Sequence, residues 1–418
     1  MSSFTENKEC NTDNIKSSIF LEFVIYLLFF FGPLTGNVIL VLFHTLSTEF
    51  NVSPSAILIA IPAFMFPFAI MQLFSGVISD IKGRYPVLII GLFIFGVAML
   101  LAALSFNLIL YAIANILGGL GFGFINPVII ALMTDITSPR NIPNKMGYLG
   151  ASANLGVGLG PLIASQMISI GWQSIYILFI IITVFGLLFF STTTRPSQKT
   201  PEEAGLIVLL TQLSIELRRG VIILLVITAF LISHTYLAIN IWTSKILSGP
   251  PPIIDDKLVG LVLGLAGFGA ALIGILTGIA IKKRGIQIPL IFGSILLFIS
   301  LLILLLIGNS ISKPETFKFL AVGWIIAGLA GGTLFPSITY YSQVLSPERR
   351  GALAGLLTAG YFIGIALVPF TLAPVSERFG ITGMYLSILG ISVLFVFILY
   401  LLYIIANRII HTGEETLH

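Results

Sequence analysis

Gly76-Val77-Ile78-Ser79-Asp80-Ile81-Lys82-Gly83-Arg84 interrupts an otherwise apolar stretch. Before it, Ala56 to Ile78 carries no charge. After it, Val87 to Phe106 carries none either. Charge near a bilayer is costly, so a charged cluster between two membrane-length apolar runs needs a reason. The rest of the chain has the same character. Of its 418 residues 57% are apolar and 9% charged, and the mean hydropathy is +1.08. A soluble protein carries about 25% charged residues. Lipid is therefore the expected solvent. A spanning helix takes about 20 apolar residues, and twelve of them fit this length with short loops and one longer linker.

Apolar runs bounded by charge, Pro or Gly predict spans over 19–43, 54–79, 86–105, 107–135, 144–169, 171–191, 220–246, 257–281, 287–308, 316–343, 350–375 and 381–405. Lys and Arg placement sets the orientation. With the N-terminus in the cytoplasm, 16 of the 21 Lys and Arg residues fall on the cytoplasmic side. Lys245, Lys257, Lys313, Lys318 and Arg378 fall outside. The expected organisation is a cytoplasmic N-terminal tail (1–18), a six-helix half (19–191), a cytoplasmic linker (192–219), a second half (220–405) and a cytoplasmic C-terminal tail (406–418). Cys10 lies in the N-terminal tail, so no intramolecular disulfide is possible. No cleavable signal peptide is evident. The basic residues are scattered rather than gathered on one face, which argues against nucleic acid.

The two halves repeat. Gly76 and Gly83 match Gly278 and Gly285 at an offset of 202 residues. Pro127 matches Pro336, Gly171 matches Gly380 and Tyr176 matches Tyr385, all at 209; Ser138-Pro139 matches Ser346-Pro347 at 208. Parallel halves around a central pathway suit a transporter, because two similar bundles can rock about a fixed site. The charged loop is degraded in the second copy, where Lys282 stands for Asp80 and Ile286 for Arg84.

The spacing G-x-x-x-D-x-K-G-R, carried by Gly76, Asp80, Lys82, Gly83 and Arg84, resembles the signature loop of the major facilitator superfamily. There it joins the second and third transmembrane helices on the cytoplasmic side. The resemblance implies an all-α integral membrane protein of twelve transmembrane helices in two pseudo-symmetric six-helix halves. It also implies that the cluster is a conformational latch. The family's Asp is held by nearby basic groups and by the N-terminal dipole of a second-half helix. Gly76 is expected to supply close helix approach and Gly83 a tight turn. Asp135, ending the fourth helix on the same face, resembles the acidic partner of that network. The plainer readings are a positive-inside loop and a solvated helix-end carboxylate.

Gly147, Gly156, Gly160 and Pro161 have the spacing G-x8-G-x3-G-P. This resembles the antiporter motif of proton-coupled drug exporters in the same superfamily. Ala164 and Ser165 replace a Gly pair of the family pattern, so the match is incomplete. Gly156 and Gly160 make a smooth helix face, Pro161 permits a kink, and Gly160→Leu is expected to block packing between the halves. Ordinary small-residue packing is the alternative.

Polar residues inside apolar helices mark pathways. The cavity candidates are Asn37, Gln72, Asn126, Asn154, Tyr236, Asn240, Ser337, Tyr340 and Tyr361, with Asn115, Gln166 and Tyr341 also in view. Interhelical hydrogen bonding is the alternative for each. No Lys or Arg sits near the centre of any span, whereas an anion carrier would be expected to use buried Arg. The lining suits lipophilic or weakly polar solutes, including organic cations on aromatic faces. Glu22 and His234 are the candidates for proton coupling; Glu22 could instead reach the interface, and His234 could be a neutral hydrogen-bonded side chain. No acidic residue occupies Gly32-Pro33-Leu34-Thr35-Gly36-Asn37, where the resemblance would place one.

There is no G-x4-G-K-[ST] loop and no His/Cys cluster, so neither ATP-driven pumping nor a metal site is expected. Asn51-Val52-Ser53 fits a glycosylation sequon. The expectation is a monomeric, non-enzymatic transporter in the plasma membrane, needing no cofactor and driven by the proton gradient, with a small-molecule substrate and surrounding lipid as partners. Proton-coupled efflux is the first reading. Uptake of a neutral metabolite such as a sugar or nucleoside is the second. A sensor would need a soluble module and an enzyme a clustered nucleophile and base.

Overall fold

The structure, a computed structural model, describes residues 19–138, 141–193, 206–247, 252–311, 313–345 and 350–412. The expectations for tail residues 1–18 and 413–418, and for Pro139, Ser346 and Pro347 of the repeat, lie outside the described residues. The helices of the first half are α1 (Ile19–Asn37), α2 (Ala60–Lys82), α3 (Arg84–Ala103), α4 (Leu108–Asp135), α5 (Ile142–Met167) and α6 (Gln173–Thr192). The second half has α7 (Gly220–Leu247), α8 (Asp256–Arg284), α9 (Gln287–Ile307) and α10 (Phe317–Val344).

The remaining helical segment, Arg350–Thr412, is 63 residues long and has one non-helical residue, Gly380. At 1.5 Å per residue it would run about three times the ~30 Å hydrocarbon thickness. It is therefore two crossings meeting at Gly380: α11 (350–379) and α12 (381–412). Eleven helical stretches among the described residues are long and apolar enough to span, this one included.

The sequence repeat is written into the backbone. The glycines with positive φ among the described residues are Gly83 (90°), Gly171 (112°), Gly285 (81°) and Gly380 (66°). They make up two of the three matched glycine pairs, Gly83 with Gly285 and Gly171 with Gly380, and lie between α2 and α3, α5 and α6, α8 and α9, and α11 and α12. Only glycine enters this region without strain.

The first predicted span, 19–43, ends earlier as a helix. The Asn37 amide donates to the Pro33 carbonyl at 2.7 Å, satisfying an acceptor near the helix end. A 3-10 turn (Val38–Val41) and a short helix (Phe43–Glu49) follow. Before α2, Ser53 caps the short helix Pro54–Ile57, accepting from the Ala56 N–H at 3.2 Å.

Burial sorts the helices into layers. Every residue of α7 from Leu231 to Trp242 is buried, on all faces, so α7 is central. In contrast, α12 buries a stripe: Met384, Ile388, Ser392, Phe395, Leu399, Leu402 and Ala406. Leu386, Val393, Leu394, Phe397 and Tyr400 opposite are at least 50% exposed. Such apolar exposure suits contact with lipid.

Packing follows the repeat. Within the first half α1 meets α5, α2 meets α4, and α3 meets α4 and α6. In the second, α7 meets α11, α8 meets α10, and α9 meets α10 and the last helical segment. The halves join along two seams, α5 against α8 and α2 against α11.

The linker, expected to be polar, contains a helix, Leu206–Leu217. It packs against α2 of one half and against α7 and the 350–412 segment of the other. Leu213 and Glu216 face the bundle, three residues apart and buried. Glu216, fully enclosed, pairs with Arg219 at 2.7 Å, and Arg219 also donates to the Leu345 carbonyl at 3.1 Å, just past the end of α10. A cation there also suits the negative end of the helix dipole. Removing one member of an enclosed pair costs more than removing both. Arg219→Met should therefore destabilise the protein, by on the order of 3 kcal/mol, more than Glu216→Leu with Arg219→Met. Thermal melts in detergent test the order; equal melting points would refute it.

Candidate functional site

The charged turn closes a network at the basic face, the end of the bundle that carries Gly83. Lys82 ends α2, Gly83 makes the turn alone (φ 90°, ψ 150°), and Arg84 begins α3. Arg84 is the hub. Its guanidinium pairs with Asp80 one turn back and with Asp135 at 2.9 Å, and donates to Ser79 Oγ at 2.6 Å. The hub thus ties α2 and α3 to the end of α4. Exposure of the three charged side chains is 13% for Arg84, 32% for Asp80 and 42% for Asp135. At such exposure an ion pair contributes about 0.2–1 kcal/mol, weak enough to be broken and remade. Lys82 is exposed. Gly76 departs from expectation. A Cβ there would meet nothing within 4 Å, so close helix approach is not its role in this conformation.

The glycine motif on α5 divides between two partners. A Cβ on Gly156 would stand 2.2 Å from the Phe30 carbonyl oxygen, and one on Gly160 2.5 Å from that of Leu34. Both glycines therefore pack α5 onto α1 inside the first half. The expectation that Gly160 packs between the halves is corrected. That contact belongs to Gly158, whose Cβ would lie 2.9 Å from Gly267 Cα and 3.0 Å from the Gly264 carbonyl oxygen on α8. Successive residues turn about 100° on a helix, so Gly158 points away from both Gly156 and Gly160. The alternation Gly156-Val157-Gly158-Leu159-Gly160 could have shown this. Farther along the seam, Gly260 abuts Ser165 and the carbonyl of Pro161. The surroundings of Gly147 lie outside the described residues.

Several cavity candidates converge where α2 meets α11. Phe68 and Phe362 are 4.4 Å apart, centroid to centroid, across the seam. Tyr361 lies 5.5 Å from Phe362 and 4.6 Å from Phe335 of α10. On α4, Asn126 donates to Gln72 Oε1 at 3.2 Å. Gln72 is 7% exposed, and its own amide nitrogen has no hydrogen-bond partner. On α7, one turn beyond Tyr236, the buried carbonyl oxygen of Asn240 likewise has no partner among the described residues. Leaving such groups unpaired costs about 1–3 kcal/mol each, so both are available to a ligand. Asn154 sits beside Gly274 of α8.

Others separate from this cluster. Ser337 is fully buried and bonds the Thr333 carbonyl at 2.8 Å, so it lines no opening here. Asn37 is held by Pro33 as described. Tyr340 is 40% exposed, neighbouring Tyr341. The aromatic members Phe68, Phe335 and Phe362 were not expected, because nothing in an apolar sequence distinguishes a lining Phe from a packed one.

His234 is 3% exposed, stacked on Phe230, and bonded at both ring nitrogens. Nδ1 lies 2.8 Å from the Gly364 carbonyl oxygen and Nε2 3.0 Å from Thr371 Oγ1. The carbonyl can only accept, so Nδ1 carries a proton. Glu22 pairs with Lys145 of α5, the side chains 20% and 24% exposed. The Glu22 hydrogen bond raises the Lys145 pKa above its ordinary value, so the lysine stays charged.

A family model described as Major Facilitator Superfamily matches residues 25–312 and 250–414. Quinolone resistance protein NorA of Staphylococcus aureus (strain COL) is 23% identical over 357 residues, covering 82% of this chain and 87% of NorA. An uncharacterized MFS-type transporter, YvkA of Bacillus subtilis, is 28% identical over 145 residues, covering 34% of this chain and 33% of YvkA. Among solved structures, a D-xylose-proton symporter superposes with a TM-score of 0.73 at 16% identity, covering 92% of this chain and 98% of that one. The nucleoside transporter NupG does so with a TM-score of 0.73 at 14% identity, covering 91% and 99%. With this fold, this repeat and a family match across nearly its whole length, the chain belongs to the Major Facilitator Superfamily.

Proposed function

We propose that this transporter exports lipophilic or weakly polar small molecules in exchange for protons, by alternating access, from a plasma membrane in which both termini are cytoplasmic. The observation that carries the reading is the neutral aromatic cluster on the α2–α11 seam, where Phe68, Phe362 and Tyr361 pack ring against ring one helical turn from Gln72, whose amide nitrogen has no partner among the described residues. Apolar walls with a few convergent polar groups suit small organic ligands. The similarity to a quinolone resistance protein supports the same class.

Rocking about the two seams would expose the cluster to each side in turn, and the weak pairs around Arg84 would break and re-form. His234 is the first choice for the coupling group. When neutral, its Nε2 accepts from Thr371. When protonated, it donates, and the Thr371 hydroxyl turns to the Leu367 carbonyl 3.0 Å away. In both states each ring nitrogen keeps a hydrogen bond, which lowers the cost of carrying a proton in an enclosed site. Glu22 with Lys145 is the second choice.

The test uses proteoliposomes with an imposed pH gradient and an internal pH dye. Lipophilic cations and neutral drugs are added, then sugars and nucleosides. Drug-triggered proton movement is expected, lost in His234→Gln if His234 couples or in Glu22→Gln if Glu22 does. Flux of a sugar or nucleoside indifferent to the gradient, with no response to drugs, would replace this reading with facilitated uptake.

A further inference from the structure

One face of α1 is only partly buried. Glu22, Tyr26, Phe30, Pro33 and Asn37 are each half-buried and follow one another at intervals of three and four residues. Leu21, Val24, Ile25, Leu28 and Phe31, on the other sides, are at most 7% exposed. At the basic end of this stripe stands the Glu22–Lys145 pair. Tyr148, three residues after Lys145 and 60% exposed, sets its ring edge-on to Tyr26, with centroids 6.3 Å apart and planes at 80°. The Tyr26 hydroxyl is enclosed and has no hydrogen-bond partner among the described residues. One cluster therefore gathers a carboxylate, two phenol rings and an ammonium on a flexible stem.

We propose that Glu22, Tyr26 and Tyr148 form a subsite for organic cations at the mouth of the pathway, and that Lys145 is its built-in competitor. The proposal rests on the exporter reading and assigns part of its pathway. While the subsite is empty, the Lys145 ammonium pairs with the half-buried Glu22 carboxylate and offsets part of the cost of that charge. An aromatic cation can take the carboxylate in its place and add attraction to the faces of two tyrosines, which a lysine stem tethered to α5 does less well. Because the competitor is intramolecular, its effective concentration is high. It weakens the binding of cations and leaves neutral solutes untouched.

The experiment measures equilibrium binding to the full-length detergent-purified protein at pH 8. The probes are tetraphenylphosphonium, a permanent cation, and triphenylphosphine oxide, a neutral molecule of similar shape. Lys145→Met should tighten tetraphenylphosphonium binding about tenfold. Lys145→Arg, which keeps a cation on Glu22, should not. Glu22→Gln should weaken it at least tenfold, with or without Lys145→Met. Triphenylphosphine oxide should bind all variants alike, which also reports that the fold is intact. Unchanged cation affinity in Lys145→Met, or equal changes for both probes, would overturn the subsite while leaving the exporter reading in place. Failure of both probes to bind any of the proteins would overturn both.

Discussion

Gly158→Leu should reduce transport to less than a tenth of the wild-type rate while leaving each half folded. The seam between α5 and α8 closes on backbone. A Cβ on Gly158 would stand 2.9 Å from Gly267 Cα, and a Cβ on Gly267 2.2 Å from Gly158 Cα. Neither neighbour is the end of a flexible side chain, so relief requires that the two helices separate. Overpacking of side chains costs about 1–3 kcal/mol, and backbone contacts belong at the upper end. A factor of ten corresponds to ~1.4 kcal/mol, so the closed seam would lose most of its population. Gly160→Leu should behave differently. It would push α5 off Leu34 of α1, inside one half, and so lower the melting temperature more than Gly158→Leu does. Wild-type transport in Gly158→Leu, or the reverse order of melting temperatures, would refute the assignment of the two glycines.

Arg84→Met should have the second large effect, again at least tenfold on transport, with the protein still inserted. Arg84 pairs with both Asp80 and Asp135. Without it, two carboxylates remain on neighbouring helix ends. Arg84→Lys should recover only part of the activity, since a point charge replaces a planar fork. Arg84→Met with Asp135→Asn should do better than Arg84→Met alone, because it removes the repulsion. Asp80→Asn should likewise leave insertion intact and abolish transport. Flux in proteoliposomes, with membrane insertion checked by protease protection, decides among these. An Arg84→Met protein that transports normally would mean that the network holds the turn together and does nothing more.

Much of the architecture was legible from residue types because lipid imposes a simple rule. Every backbone polar group must be satisfied within its own segment, so apolar runs of sufficient length become helices. The boundaries that shifted did so through local chemistry, as where Asn37 ties itself to Pro33. The linker helix was missed because its turn toward the bundle depends on Leu213 and Glu216, and an enclosed glutamate reads as a solvated side chain until its partner Arg219 is known. Among the site residues, Asp80, Arg84 and Asp135 were legible as a group because charge at a membrane face is rare. For Ser337 and Asn37 composition did not distinguish a polar side chain bonded to its own helix, as both are here, from one facing a pathway.

By itself the sequence determined the solvent, the spanning helices, the sequence repeat and the glycines at the four turns, because these follow from hydropathy, periodicity and the backbone freedom of single residues. Only the tertiary structure decided which side of each helix meets which neighbour. It turned Gly158 toward the other half and Gly160 toward its own, set Phe68 against Phe362, and brought Lys145 to Glu22. The physical reason is that an apolar helix in a bilayer carries no polar face to mark its inside. Its rotation is set by close packing against partners distant in the chain, and that information is absent from any one segment.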